Sequence, residues 1–220
     1  MLWDFDGTLA HRPGLWRSAL VGALDAVSPG HGVTGDAVRP GLKDGFPWHR
    51  PHEAHGFTEA DAWWTALHPV LARAYGGAGV ARPVAEQAIA RVRDVYLDPA
   101  AWVVFDDTVP ALERLTAAGW SHAVLSNHVP ELPRLVDALG LGRHLAPVLT
   151  SGVLGHEKPH PAAFAAALDA LGRPERVVMV GDNPVADVAG ARAAGLPALL
   201  VRDAPAHGLA WAADRILDGV

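Results

Sequence analysis

Two carboxylates stand two residues apart beside a glycine near the start of the chain, in the run Trp3-Asp4-Phe5-Asp6-Gly7-Thr8-Leu9. Asp-x-Asp-Gly also opens calcium loops and ordinary turns, so this run alone decides little. Its company decides more. Ser126-Asn127 follow an apolar run at 121–125, Lys158-Pro159 come a loop after another at 147–150, and Gly181-Asp182 follow 177–180, with Asp187 five residues on. The chain has no cysteine, which removes a thiolate nucleophile, a Cys-ligated zinc and any disulfide. Its chemistry therefore rests on carboxylates, hydroxyls, Lys or His.

The elements that must position these residues alternate from Val103 onward. A helical pattern at 109–118, with Val109, Leu112 and Leu115 on one side, stops at Gly119. A buried strand is predicted at 121–125, a helix at 132–139, a short strand at 147–150, and a helix at 161–171 begun by Pro161 and ended by Gly172. Strands at 177–180 and 198–201 flank a helix at 185–194, and the tail shows a weaker apolar pair at Ile216 and Leu217. This alternation predicts an α/β fold: a doubly wound parallel sheet, Rossmann-like, with helices on both faces. In such sheets ligands bind at the carboxyl ends of the strands, so all four polar segments are expected at one crevice.

The stretch 13–100 differs, with helical patterns at 15–27, 58–75 and 84–97 and no convincing strand, and reads as an all-helical insert. The expected division is a core of 1–12 plus 101–220 and an inserted domain of 13–100. Within the insert, 38–56 is rich in Gly, Pro, His and aromatics and too long for an ordinary connection, which makes it a functional candidate.

At 220 residues, half of them hydrophobic, the chain can bury a substantial core. Its 18 Lys+Arg against 24 Asp+Glu, with no basic run, argue against nucleic acid as a partner. Asp4 and Asp6 occupy the place where a signal peptide would be basic and then apolar, and no apolar run approaches a membrane span. The expectation is a soluble, cytoplasmic protein, monomer or homodimer.

Taken in order, Asp4-Phe5-Asp6-Gly7-Thr8, Ser126, Lys158-Pro159 and Gly181-Asp182-Asn183-Pro184-Val185-Ala186-Asp187 give the chain a pattern that resembles the haloacid dehalogenase (HAD) superfamily of hydrolases, in the phosphatase branch with a helical cap inserted after the first strand. The resemblance covers nearly the whole chain. It implies a phosphatase of small phosphorylated metabolites that uses Mg²⁺ and an aspartyl-phosphate intermediate. Asp4 would be the nucleophile. A carboxylate attacking a phosphate dianion meets like-charge repulsion, so a hard cation is required, and Asp4, the backbone carbonyl of Asp6 and Asp182 would hold it. Lys158 would pair with Asp4 and the phosphoryl oxygens, and the Ser126 hydroxyl and the Asn127 N–H would bind another of those oxygens. Thr8 and Asp187 would stand behind, Asp187 orienting Lys158 or a metal-bound water. Asp6 would protonate the leaving alkoxide and then activate water. Dehalogenases of the family expel halide, which needs no proton, and usually lack this residue, so Asp6 favours phosphate esters.

In the loop 38–56, Lys43, His49, Arg50 and His52 are the candidates for choosing the substrate. His49, His52 and His55 recur every third residue, but Pro and Gly interrupt the segment, which argues for loop lining or solvation over a zinc site. Trp63 and Trp64 read as packing rather than a stacking platform, and Asp106-Asp107 as a helix N-terminus before Pro110. The 31 positions from Asn127 to Lys158 leave no room for a second large cap. Only Met1, Leu2 and Trp3 precede Asp4, so the first strand is either short or begins upstream. A phosphomutase shares all these motifs, and a catalytically silent binding protein on the same fold is the alternative of another class.

Overall fold

Short apolar runs flanked by turn residues become the strands, and pleating sends alternate side chains to opposite faces. A computed structural model describes residues 1–57 and 59–219 of the chain. The strands are β1 (Leu2–Trp3), β2 (Ala10–His11), β3 (Val103–Val104), β4 (Ala123–Ser126), β5 (Val148–Thr150), β6 (Met179–Gly181) and β7 (Ala198–Leu200). Five form a parallel sheet in the order β5-β4-β1-β6-β7. Leu2, Ala123, Leu125, Met179 and Ala198 point to one face and meet Phe164, Ala167 and Ala191. Their neighbours Trp3, Val124, Val180 and Leu199 point to the other and meet Leu112, Leu115, Leu209 and Ile216. Both faces are apolar because both are covered.

The helices are α1 (Leu15–Asp25), α2 (Gly35–Val38), α3 (Ala60–Gly77), α4 (Arg82–Leu97), α5 (Thr108–Ala117), α6 (Leu132–Ala138), α7 (Ser151–Leu154), α8 (Pro161–Ala170), α9 (Gly190–Ala193) and α10 (Leu209–Leu217). Among the described residues none is long and apolar enough to cross a membrane. The three long helical patterns of the first half are α1, α3 and α4; position 58, where the second was expected to begin, lies outside the described residues, as does position 220. Buried Trp16, Ala19, Leu20, Ala23 and Leu24 make the inner stripe of α1, and Ala85, Ala88, Val92 and Tyr96 that of α4. The Tyr75 hydroxyl of α3 donates to the Leu20 carbonyl of α1 at 2.7 Å, which joins these two helices.

The structure corrects one expected element, the helix at 185–194, and adds detail at four other places. β2 and β3 pair antiparallel on either side of the helical stretch, a ribbon too short to leave a sequence pattern. The helix expected at 185–194 is a π-helical turn at Pro184–Ala189 followed by α9. Asn183 Oδ1 accepts from the N–H groups of Val185 and Ala186, each at 2.9 Å, and Asp187 Oδ2 accepts from Asn183 N at 3.0 Å, so the turn is widened around two polar side chains. The tail is a full helix whose inner stripe, Leu209, Ala212, Ala213 and Ile216, is half alanine and so weakly apolar in sequence. The loop 38–56 contains 3-10 turns at Arg39–Leu42 and Pro47–His49. Asp107 does precede α5, but its side chain does not cap it; the carboxylate takes Arg202 at 2.6 and 3.0 Å and the N–H of Leu209 at 2.7 Å.

The two-residue β1 is central. Its ladder is extended at both ends by hydrogen bonds from Ala123 N to Met1 O (3.0 Å) and from Asp4 N to Val180 O (2.9 Å), and Leu2 and Trp3 have no exposed surface. Strand order reverses here, with β4 on one side and β6 on the other, so the crevice of the sheet opens at Asp4.

Candidate active site

Three strands end on functional groups. Asp4 follows β1, Ser126 closes β4 with Asn127 next, and Asp182 follows β6; Lys158 arrives from the loop after α7. Together with Asp6 and Asp187 they line one cleft of about 390 Å³. Thr8 lies behind it, fully buried, its hydroxyl 3.4 Å from Asp182 Oδ1.

Lys158 is buried, and its ammonium donates to Asp4 Oδ1 at 2.8 Å and to Asp187 Oδ1 at 2.6 Å. Burial works against the charged form, but the charges of Asp187 and Asp4 outweigh it and hold the ammonium above the ordinary lysine range. The Asn127 side chain fixes where this lysine starts. Its Oδ1 accepts from Lys158 N at 2.6 Å and its Nδ2 donates to the Lys158 carbonyl at 2.8 Å. This clamp had no sequence signal beyond the Asn itself.

Asp4, Asp182 and Asp187 each offer an oxygen within 4.8 Å of the others, which among the described residues is the one such trio of acidic or His ligands. Crowding has an electrostatic signature. Burial, then Asp4 and Asp187, raises Asp182; burial, then Asp4, raises Asp187 against the pull of Lys158. Asp6 is pushed up to about 8 by burial, then by the charges of Asp4 and Asp182. One ammonium does not balance these carboxylates, and an oxygen-only donor set of this kind fits a hard divalent cation. The cluster brings the Asp187 carboxylate beside those of Asp4 and Asp182. Two glycines permit the crowding. A Cβ on Gly7, whose φ is +83°, would run into the Asp182 carboxylate, and one on Gly181 into that of Asp187.

The opposite wall is apolar and comes from the helical stretch: Leu15 and Trp16 of α1, Trp48 and Pro51 of the long loop, and Tyr96 of α4. Trp16 stacks on Tyr96 with ring centroids 4.4 Å apart, and the Tyr96 hydroxyl lies 3.4 Å from His128 Nε2. Burial pushes the His128 imidazole down to about 4, so it is neutral. Trp16, Tyr96 and His128 went unnoticed in the sequence because the first two fall on helical stripes that read as core. Lys43, His49, Arg50 and His52 are exposed and do not line the cleft. The 3-10 turn at Pro47–His49 sends Trp48 inward, while His49 Nδ1 turns back to accept from Phe46 N at 3.3 Å. His55 leaves its two neighbours altogether, with Nδ1 3.1 Å from the Phe57 carbonyl and Nε2 3.5 Å from Glu157. Trp63 is fully buried and Trp64 Nε1 donates to Glu131 at 3.0 Å, so both serve packing.

With this geometry in view, the chain is similar to several known proteins. The family model described as haloacid dehalogenase-like hydrolase matches residues 1–195. A phosphoserine phosphatase of Thermus thermophilus is 39% identical over 165 residues, which is 74% of this chain and 59% of that protein, so the chain spans less than two thirds of the relative's length. A phosphoglycolate phosphatase of Rhodospirillum rubrum is 33% identical over 91% of this chain and 78% of its own. A 2-haloacid dehalogenase of Pseudomonas syringae has a solved structure that superposes with a TM-score of 0.68 at 24% identity, covering 100% of this chain and 98% of that one, a likeness of fold alone. The motif order, the parallel sheet with its strand-end carboxylates and the match over residues 1–195 place the chain in the haloacid dehalogenase-like hydrolase family.

Proposed function

We propose that the protein is a Mg²⁺-dependent phosphatase of small phosphorylated metabolites that works through an aspartyl-phosphate on Asp4, with 13–100 as a helical cap over a core of 1–12 and 101–220. The observation that carries this reading is the Lys158 ammonium bridging Asp4 and Asp187 where three strands end. Phosphoryl transfer needs little covalent chemistry from a protein beyond a nucleophile, positioning and charge. Asp4 attacks phosphorus, and the bond to the leaving oxygen breaks as the Asp4–phosphorus bond forms. Lys158, the Ser126 hydroxyl and the Asn127 N–H hold the phosphoryl oxygens. Asp6, whose proton affinity is raised by burial and by the charges of Asp4 and Asp182, gives a proton to the leaving alkoxide. Its carboxylate then takes a proton from the water that attacks the aspartyl-phosphate, which releases inorganic phosphate and restores Asp4. Mg²⁺ held by Asp4, the Asp6 carbonyl and Asp182, with Asp187 behind, would offset the repulsion between the Asp4 carboxylate and the phosphate dianion.

The relatives named as phosphatases support ester hydrolysis, and a cysteine-free chain suits the cytoplasm. The experiment is hydrolysis of p-nitrophenyl phosphate with added Mg²⁺ and after chelation. Phosphate release that requires the cation and disappears in Asp4→Asn is expected; no release under any divalent cation would overturn the proposal.

A further inference from the structure

The floor of the cleft and its roof differ in kind. The floor holds the carboxylates and, among the described lining residues, its one cationic side chain, Lys158, which is already shared by Asp4 and Asp187. The roof, where the part of a substrate beyond phosphorus must rest, is Leu15, Trp16, Trp48, Pro51 and Tyr96. His128 beside Tyr96 is neutral and supplies no charge. Arg50, next to Pro51 in the chain, is exposed and does not line the cleft, and two further cations, Arg12 and Arg17, stand in the adjoining hollow that shares Leu15, Trp16 and Trp48. There Arg12 is buried with its terminal nitrogens donating to the carbonyls of Leu15 and Val95, each at 3.1 Å, and to Ser18 Oγ, while Arg17 is paired with Asp36 at 3.1 Å.

We infer that the leaving group this cleft accepts is an alcohol with an apolar, ring-bearing body and no second anionic group. The inference rests on the phosphatase reading and specifies its substrate class. A carboxylate or second phosphate on the leaving side would be desolvated against aromatic faces, whose π clouds present negative charge, with no counter-ion to receive it. An apolar ring there gains contact with Trp48 and Trp16, and that gain is available to the transition state as well as the ground state. Trp16 is buried and packed on Tyr96 and Phe46, with centroids at 4.4 and 4.8 Å; Trp48 stacks on Phe46 at 4.5 Å but stays half-buried, so its remaining surface is what the roof offers the ligand.

The test compares two esters of primary alcohols, benzyl phosphate and phosphoglycolate, whose leaving alkoxides both need a proton. The wild-type protein is expected to show kcat/KM at least about tenfold higher for benzyl phosphate. Trp48→Ala should lower that value about tenfold and change phosphoglycolate by less than about twofold, since only the ring loses a contact. Trp48→Arg should reverse the order by supplying the missing cation, and near-identical thermal midpoints of the three proteins would show that folding is not the cause. Faster turnover of phosphoglycolate by the wild type overturns the inference and leaves the phosphatase reading standing. Hydrolysis of neither ester, nor of p-nitrophenyl phosphate, overturns the phosphatase reading itself.

Discussion

Lys158 and Asp4 lie 154 positions apart in the chain, and the lysine Nζ is 2.8 Å from the aspartate Oδ1. Asp187, 29 positions beyond Lys158, closes the group at 2.6 Å. Such a buried ion pair contributes little net stability, because desolvation offsets the attraction, yet removing one partner leaves the other charge uncompensated. Lys158→Met is therefore expected to lower unfolding free energy by about 3–5 kcal/mol, read from urea denaturation. Loss of activity with unchanged stability would mean that the carboxylates are neutralised by something other than this lysine.

Asp6 should separate two kinds of ester. On the proposed mechanism Asp6→Asn removes the proton donor, so hydrolysis of alkyl phosphates is expected to fall roughly 10²–10⁴-fold. The p-nitrophenolate leaves without much proton assistance, and its release should fall far less. Equal losses on the two substrates, measured as kcat, would argue against an acid role.

The central strand is short enough for one side chain to matter. Leu2 is fully buried between β4 and β6, and Leu2→Ala is expected to cost about 2–5 kcal/mol. A denaturation midpoint within error of the wild type would show that β1 is not a structural centre of the sheet.

His122 ties stability to pH away from the cleft. Its Nδ1 accepts from Trp3 Nε1 at 3.1 Å, while Nε2 lies 3.1 Å from the Leu112 carbonyl and 3.0 Å from the Thr116 hydroxyl, an arrangement that suits only a neutral ring. Burial, with the charged amino terminus nearby, lowers its pKa to about 4. An unfolded His takes up a proton near 6.5 and the folded one does not, so the stability it contributes is present above about pH 6.5 and is lost as pH falls toward 4. Thermal midpoints from pH 7 to 4 should fall more steeply in the wild type than in His122→Gln. Parallel curves would assign the acid sensitivity to other groups.

What the sequence made legible follows from how each feature is encoded. Strands buried on both faces read as apolar runs, and three of the four polar motifs stand at the end of one, as with Ser126 after 123–125 and Gly181-Asp182 after 179–180, while Lys158 comes from the loop after α7. The turn that carries Asp187 reads as a plain helix in the sequence, since no hydrophobic spacing marks the Asn183 and Asp187 side-chain hydrogen bonds that accompany its widening. Tyr96 sits at helical spacing after Ala85, Ala88 and Val92, where core and cleft wall look the same. In the loop 38–56 charge drew attention to Lys43 and Arg50, whereas a short 3-10 turn decides that Trp48 and not its neighbours reaches the cleft.

The most direct test of the central claim is to quench the protein with acid during turnover of p-nitrophenyl phosphate and map covalent phosphate by peptide mass spectrometry. The account predicts a phosphoryl adduct on the peptide containing Asp4, absent in Asp4→Asn, whose turnover should fall by roughly 10⁴-fold or more while its thermal midpoint shows a folded protein. Turnover by the wild type with no adduct on that peptide, matched by near-wild-type activity of Asp4→Asn, would contradict it.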